Sequence, residues 1–113
     1  MTLSQVCEIL DAKILVSGNM DAEVRTACGS DFMSDVLAFA KEQALLLTGL
    51  VNAQVIRTAD MMDMKAIAFV RGKTPNEDMI ALAKERSIVL FSTSHPMYIA
   101  CGLLYQAGLR GDT

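Results

Sequence analysis

The chain has no tryptophan, one histidine, two prolines and three cysteines among its 113 residues. Each scarcity excludes something. Cys7, Cys28 and Cys101 are odd in number and far apart, so they form neither a disulfide framework nor a zinc knuckle. A reducing cytoplasm is the expected compartment. Asp60 and Asp63 are helix neighbours, but a single histidine and scattered acids make a poor metal set, and no metal or cofactor is expected. Basic runs are missing too, and a net charge of −3 excludes a nucleic-acid binder driven by phosphate neutralisation. The longest uncharged apolar stretches, residues 44–47 and 98–104, fall far short of the ~20 residues that span a bilayer. The opening "MTLSQVCEILDAK" carries Glu8 and Asp11 where a secretory signal needs a basic lead and an unbroken apolar core. Neither nucleic acid nor a membrane is therefore expected as a partner.

What is present is a folding composition. Hydrophobic residues make up 52% and charged residues 20%, enough apolar side chain for one core in one domain spanning 1–113. Thr2 followed by Gln5 is a capping box, and Leu3, Val6, Cys7 and Leu10 recur at helical spacing, which predicts a helix over about residues 3–10. A short strand is expected at 13–17. Alternation of Val24, Thr26 and Cys28 against charged or small residues predicts a half-exposed edge strand over 22–28. Ser30 and Asp31 offer caps for a helix whose face carries Phe32, Val36, Phe39 and Ala40. Apolar strands at 44–49, 66–70 and 88–91 then alternate with three helices. The first of these starts at Asn52, with Val55, Ile56, Ala59 and Met62 on one face. The second follows a Thr74 cap with Pro75 and Glu77 and turns Met79, Ile80 and Ala83 inward, and the last spans about 96–107. Uniformly apolar strands between amphipathic helices imply an α/β fold, a single compact three-layer domain with a mostly parallel sheet and helices on both faces.

In such a sheet ligands bind beyond the carboxyl ends of the strands. The turns expected there hold Ser30, Asp31, Thr48, Gly49, Arg71, Lys73, Thr93, Ser94 and His95. Helix starts with nearby basic side chains favour an anion, so these nine residues are the candidate site for a small phosphate- or nucleotide-containing ligand. Gly72-Lys73-Thr74 imitates the end of a nucleotide-binding P-loop, but Ile67 occupies the place of the required glycine, and that reading fails. His95 before Pro96 is read as the turn that starts a helix. A Cys28–His95 pair is the alternative, a small enzyme acting at the strand-end crevice, and nothing in the local sequence activates it. Arg110-Gly111-Asp112 reads as a solvated terminus.

The stretch from "GSDFMSDVLAF" through "LLLTGL", "QVIRTADMMDMKAIAFVRGKTP" and "ALAKERSIVLFSTSHPMYIACGLLYQAGL" resembles the DRTGG domain family, in particular its free-standing members. This family is related to the non-catalytic N-terminal part of HPr kinase-like proteins. Its domain also occurs beside CBS domains in regulated pyrophosphatases and in phosphotransacetylases. The resemblance implies an α/β layer that acts as a non-catalytic regulatory module, often paired with a copy of itself.

The expected function is a regulatory or sensory module binding a small anionic ligand or a partner protein. A structural subunit of a larger complex is the remaining alternative. A mean hydropathy of +0.35 and eight methionines exceed what so small a domain readily conceals, so a homodimer is expected. Met61 and Met64 are the candidate contacts, with the 22–28 edge next. Gly102 inside the last helix predicts a close backbone approach.

Overall fold

The computed structural model describes residues 1–41 and 43–110. The elements follow the order α1 (Leu3–Ile9), β1 (Lys13–Val16), β2 (Ala27–Gly29), α2 (Met33–Phe39), β3 (Leu45–Thr48), α3 (Ala53–Met61), β4 (Ala66–Phe69), α4 (Glu77–Glu85), β5 (Val89–Ser92) and α5 (Met97–Gln106). The five strands form one sheet in the order β1-β5-β4-β3-β2, with β1 antiparallel to β5 and the other pairs parallel. From β2 to β5 the chain advances one strand at a time. Right-handed crossovers in a single direction must lay α2, α3 and α4 on the same face. After β5 the chain turns to the opposite face, where α5 joins α1.

The cores reflect this division with the two-residue period of a strand. Leu45, Leu47, Ala66, Ala68, Val70, Val89 and Phe91 pack with Leu3, Val6, Leu10, Ala100 and Leu104 under α1 and α5. The alternate residues Leu46, Ile67, Phe69, Ile88 and Leu90 pack with Val36, Val55, Ile56, Ala59, Met79 and Ala83 under α2 to α4. Leucine occupies both faces of β3, and alanine alternates with isoleucine and phenylalanine in β4, so both strands read as unbroken apolar runs. This is the expected three-layer α/β domain.

Four helices end in the same device. At Asp11, Asp63, Ser87 and Gly108 the backbone turns left-handed, with φ of 48°, 54°, 59° and 109°. The next amide then reaches back to a carbonyl five residues earlier, as in Met64 N to Ala59 O at 2.8 Å and Ile88 N to Ala83 O at 2.9 Å. Such closures satisfy orphan carbonyls and swing the following apolar residue inward. Met64, Ile88 and Leu109 are accordingly at most 4% exposed. Only α5 uses glycine for this turn, and the other three helices tolerate an unfavourable residue.

Several expectations need correction. The strand expected over 22–28 is β2, only Ala27–Gly29. Residues 22–24 are held instead by the amino terminus, through Leu3 N to Ala22 O, Val24 N to Met1 O and a bridge between Thr2 and Glu23. Phe32 and Phe39, expected to face inward on α2, are 71% and 75% exposed, because the sheet ends beneath this short helix and only Val36 is buried. Asn76, not Thr74, caps α4, accepting from Met79 N at 2.9 Å, and Pro96 precedes α5 as its cap residue. Met64 is buried and cannot join Met61 at a contact surface. A side chain at Gly102 would meet nothing within 4 Å, so no close backbone approach explains that residue. Gly111 and Asp112 lie outside the described residues.

Candidate functional site

The carboxyl ends of β2, β3, β4 and β5 lie along one side of the sheet, each followed by a loop into a helix. The loops after β4 and β5 diverge, since α4 lies on one face and α5 on the other. That divergence is where open α/β sheets form ligand crevices. Here its floor is closed by hydrogen bonds. Arg71 N donates to His95 O and Gly72 N to Thr93 O, both at 2.8 Å, and Ser92 Oγ donates to Lys73 O at 2.8 Å. Left-handed φ values of 58° at Arg71 and 68° at Gly72 turn their amides sideways into these bonds. This β4 loop therefore offers an anion its side chains rather than a backbone cradle.

Beside it the β2 loop is fastened to the end of β3. Asp31 Oδ1 accepts from Gly49 N at 2.7 Å and from Thr48 Oγ1 at 3.1 Å. The fully buried Thr48 hydroxyl also accepts from Leu50 N at 3.1 Å. Between the two fastened loops and the start of α5 lies a hollow of about 160 Å³, lined by Asp31, Gly49, Val70, Arg71, Lys73 and Met97. Arg71 and Lys73 are exposed, and neither is in an ion pair among the described residues. The first turn of α5 has no side-chain cap. Two uncommitted cations and a bare helix start favour an anionic group at the mouth. Asp31 on the opposite wall suits a hydroxyl or amine donor. The volume is below the ~300–1,000 Å³ of enclosing pockets, so it admits a phosphoryl or carboxylate group and leaves the rest of a larger ligand on the surface.

Of the nine residues singled out from the sequence, Asp31, Gly49, Arg71 and Lys73 come together in this hollow. Thr48 and Thr93 lie beneath it in internal bonds; Thr93 Oγ1 donates to Leu10 O at 2.7 Å and pins the end of α1. Ser30 closes a local turn by accepting from Phe32 N at 3.0 Å. Ser94 is exposed and His95 half-buried, and neither side chain lines the hollow; His95 participates through its backbone. Val70 and Met97 complete the lining. Sequence reasoning missed both because it looked for polar groups at strand ends.

Three larger hollows lie elsewhere. One, of about 630 Å³, runs between α1 and the end of α5 beside Glu8, without a cationic side chain in its lining. Another, of about 470 Å³, lies at the opposite end of the sheet with Lys65 and Lys84, and Lys65 is already paired with Asp63 at 3.1 Å. The third, of about 300 Å³, lies between α3 and α4 with Arg57 and Arg86, and Arg86 is already paired with Asp60 at 2.8 Å. None combines free cations with the strand ends. Among the described residues no three His, Cys, Asp or Glu side chains gather as a metal site. All three thiols are pushed up in pKa. Burial is the leading cause at Cys28, reinforced by Asp35 and Cys101; burial and Asp11 act on Cys7, and burial alone on Cys101. A raised pKa is the reverse of what a thiolate nucleophile needs.

No family model matches the sequence, and no curated protein matches it. No helix is long and apolar enough to cross a membrane among the described residues. A solved structure does match: the CBS and DRTGG domains of the regulatory region of the Clostridium perfringens pyrophosphatase, complexed with its activator diadenosine tetraphosphate. The TM-score is 0.78 at 20% identity, over 94% of this chain and 46% of that one. The chain thus spans about half the length of that regulatory region. The likeness establishes the fold: the described chain has the α/β architecture found within a CBS- and DRTGG-containing regulatory region.

Proposed function

We infer that the protein is a regulatory or sensory module of the DRTGG type that binds a small phosphate-bearing ligand at the strand-end hollow. The carrying observation is the pair Arg71 and Lys73, both exposed and without carboxylate partners among the described residues, at the mouth of a hollow facing Asp31. The phosphoryl group meets the two cations and the start of α5, while Asp31 accepts from a hydroxyl such as that of a ribose. A structural neighbour in complex with a nucleotide-type activator supports nucleotides as the first compounds to try. The raised thiol pKa values weigh against a cysteine enzyme. The cytoplasm remains the expected compartment, and the ligand's message passes to a protein partner or a second copy of the chain.

A thermal-shift titration tests the reading with inorganic phosphate, adenosine triphosphate and diadenosine tetraphosphate. At a hundredfold excess over Kd a ligand of the native state adds about 2.7 kcal/mol, a shift of roughly 10 °C for a chain of this size. Lys73→Ala should remove most of that shift. No shift with any of the three compounds, or one indifferent to Lys73→Ala, contradicts the reading.

A further inference from the structure

The sheet ends at β2, and what flanks that edge is unusual for a surface. Thr26 O accepts from Leu45 N and Ser30 N donates to Leu47 O, each at 3.0 Å, so these residues turn their polar groups toward β3. Alternation then turns both backbone groups of Ala27 and Gly29 outward, an edge unpaired among the described residues and of the kind that recruits another strand. On the α5 side, Met97, Cys101 and Tyr105 form one stripe at helical spacing. A side chain at Gly29 would lie 2.8 Å from Cys101 Sγ and 3.1 Å from Met97 Sδ, which places that stripe directly over β2. Tyr105 ends the stripe and Tyr98 lies on its outer flank, 56% and 86% exposed. On the α2 side, Phe32, Asp35 and Phe39 form the corresponding stripe. Cys28, Met33 and Ala40 pack together against the core around Val36, so α2 lies over this side of β2.

Four aromatic rings thus border one short open edge. At 150–250 Å² per ring, their exposed fractions amount to about 430–720 Å². That reaches the upper end of the largest apolar patch on ordinary monomers, roughly 300–600 Å². Adding the bare edge brings it close to the ~800 Å² per partner of a standard interface.

We propose that a second copy of this chain covers the edge, pairing β2 with β2 antiparallel about a two-fold axis through Cys28. The backbone selects this register. Outward-facing Ala27 must meet an outward-facing residue of the partner, and pairing it with Gly29 engages every outward group of this three-residue strand once, in both copies. Cys28 then faces its own counterpart in a non-hydrogen-bonded pair, with Cα atoms about 4.5 Å apart, inside the range a disulfide spans. The same register sets exposed Arg25 opposite the partner's exposed Asp31, a charge match at both ends. The α5 helices meet on one face of a continuous ten-stranded sheet and the α2 helices on the other. Because Asp31 also lines the strand-end hollow, the interface reaches the rim of both sites.

Light scattering on the full chain at ~100 µM should give twice 12.2 kDa. Oxidation by copper(II)–phenanthroline should link two chains, two thiols releasing two protons to solvent and one electron to each of two copper(II) ions, and Cys28→Ser should abolish the link. Phe39→Glu with Tyr105→Glu, both at exposed positions, should run at 12.2 kDa with an unchanged far-UV circular dichroism spectrum. Should that pair disturb folding, Arg25→Glu alone should still raise the dimer dissociation constant at least tenfold. A wild-type monomer at 100 µM overturns the proposal and leaves the edge to a different protein. Dissociation by these variants without a Cys28 link overturns the register, and a dimer untouched by either variant overturns the surface. The ligand reading stands or falls separately, on the Lys73 thermal shift.

Discussion

Arg71 holds a left-handed φ of 58° in a loop where the next residue is a glycine at 68°. For an L-residue this conformation costs roughly 1–2 kcal/mol, whereas glycine adopts it freely but gives up about 0.5–1 kcal/mol of chain entropy on folding. No hydrogen bond or ion pair of the Arg71 side chain offsets the cost among the described residues. Its amide bond to His95 O does not depend on side-chain identity. Arg71→Gly should therefore stabilise the free protein by about 0.5–1 kcal/mol, read as a higher urea midpoint at unchanged slope. If Arg71 is retained for a ligand, the same variant should bind inorganic phosphate and adenosine triphosphate at least tenfold more weakly. Strain of this kind gathers where function requires a particular side chain. A variant less stable than wild type would refute the backbone argument. A more stable variant with full ligand affinity would refute the role given to Arg71.

Three other outcomes follow from the same structure. Ser87→Gly should raise stability by about 0.5–1 kcal/mol in urea unfolding, because Ser87 ends α4 at φ 59° where α5 uses Gly108. Thr93→Val should cost about 1–3 kcal/mol by leaving Leu10 O without its buried 2.7 Å donor, and that loss should appear in the same assay. Native Cys28 should react with iodoacetamide at pH 8 more slowly than in the urea-unfolded chain, since burial, then Asp35, then Cys101 raise its pKa from 9.0. A thiol pKa raised by folding means the native state holds that proton more tightly. The associated stability is complete below the unfolded pKa and declines as pH climbs through the folded one, so midpoints should be level near pH 7 and fall above about 9.

The parallel sheet was legible because β3, β4 and β5 are apolar at nearly every position, and turn residues bound each run. Element order was legible for the same reason. The partner of a strand was not. Val24, Thr26 and Cys28 alternate like an edge strand, yet residues 22–24 bond to the amino terminus, a pairing that periodicity carries no trace of. Neither was the extent of the sheet: Phe32 and Phe39 repeat with Val36 as a core face would, but the sheet stops beneath them. Caps shifted by one or two residues where Thr74 and Asn76, or His95 and Pro96, compete within a single turn. At the candidate site, Asp31, Gly49, Arg71 and Lys73 were identifiable as polar or glycine residues at strand ends. Which hydroxyls would be spent internally, as at Thr48 and Thr93, depends on neighbours up to 83 positions away.

The central claim, that a phosphate-bearing ligand occupies the strand-end hollow, is tested most directly by titrating adenosine triphosphate into isotopically labelled protein and following the backbone amides by NMR. The account predicts saturable shifts concentrated at Gly49, Arg71, Gly72, Lys73 and Met97. Shifts gathered instead at Lys65, Lys84 and Ser87, around the hollow at the opposite end of the sheet, would contradict it, as would a spectrum that does not change.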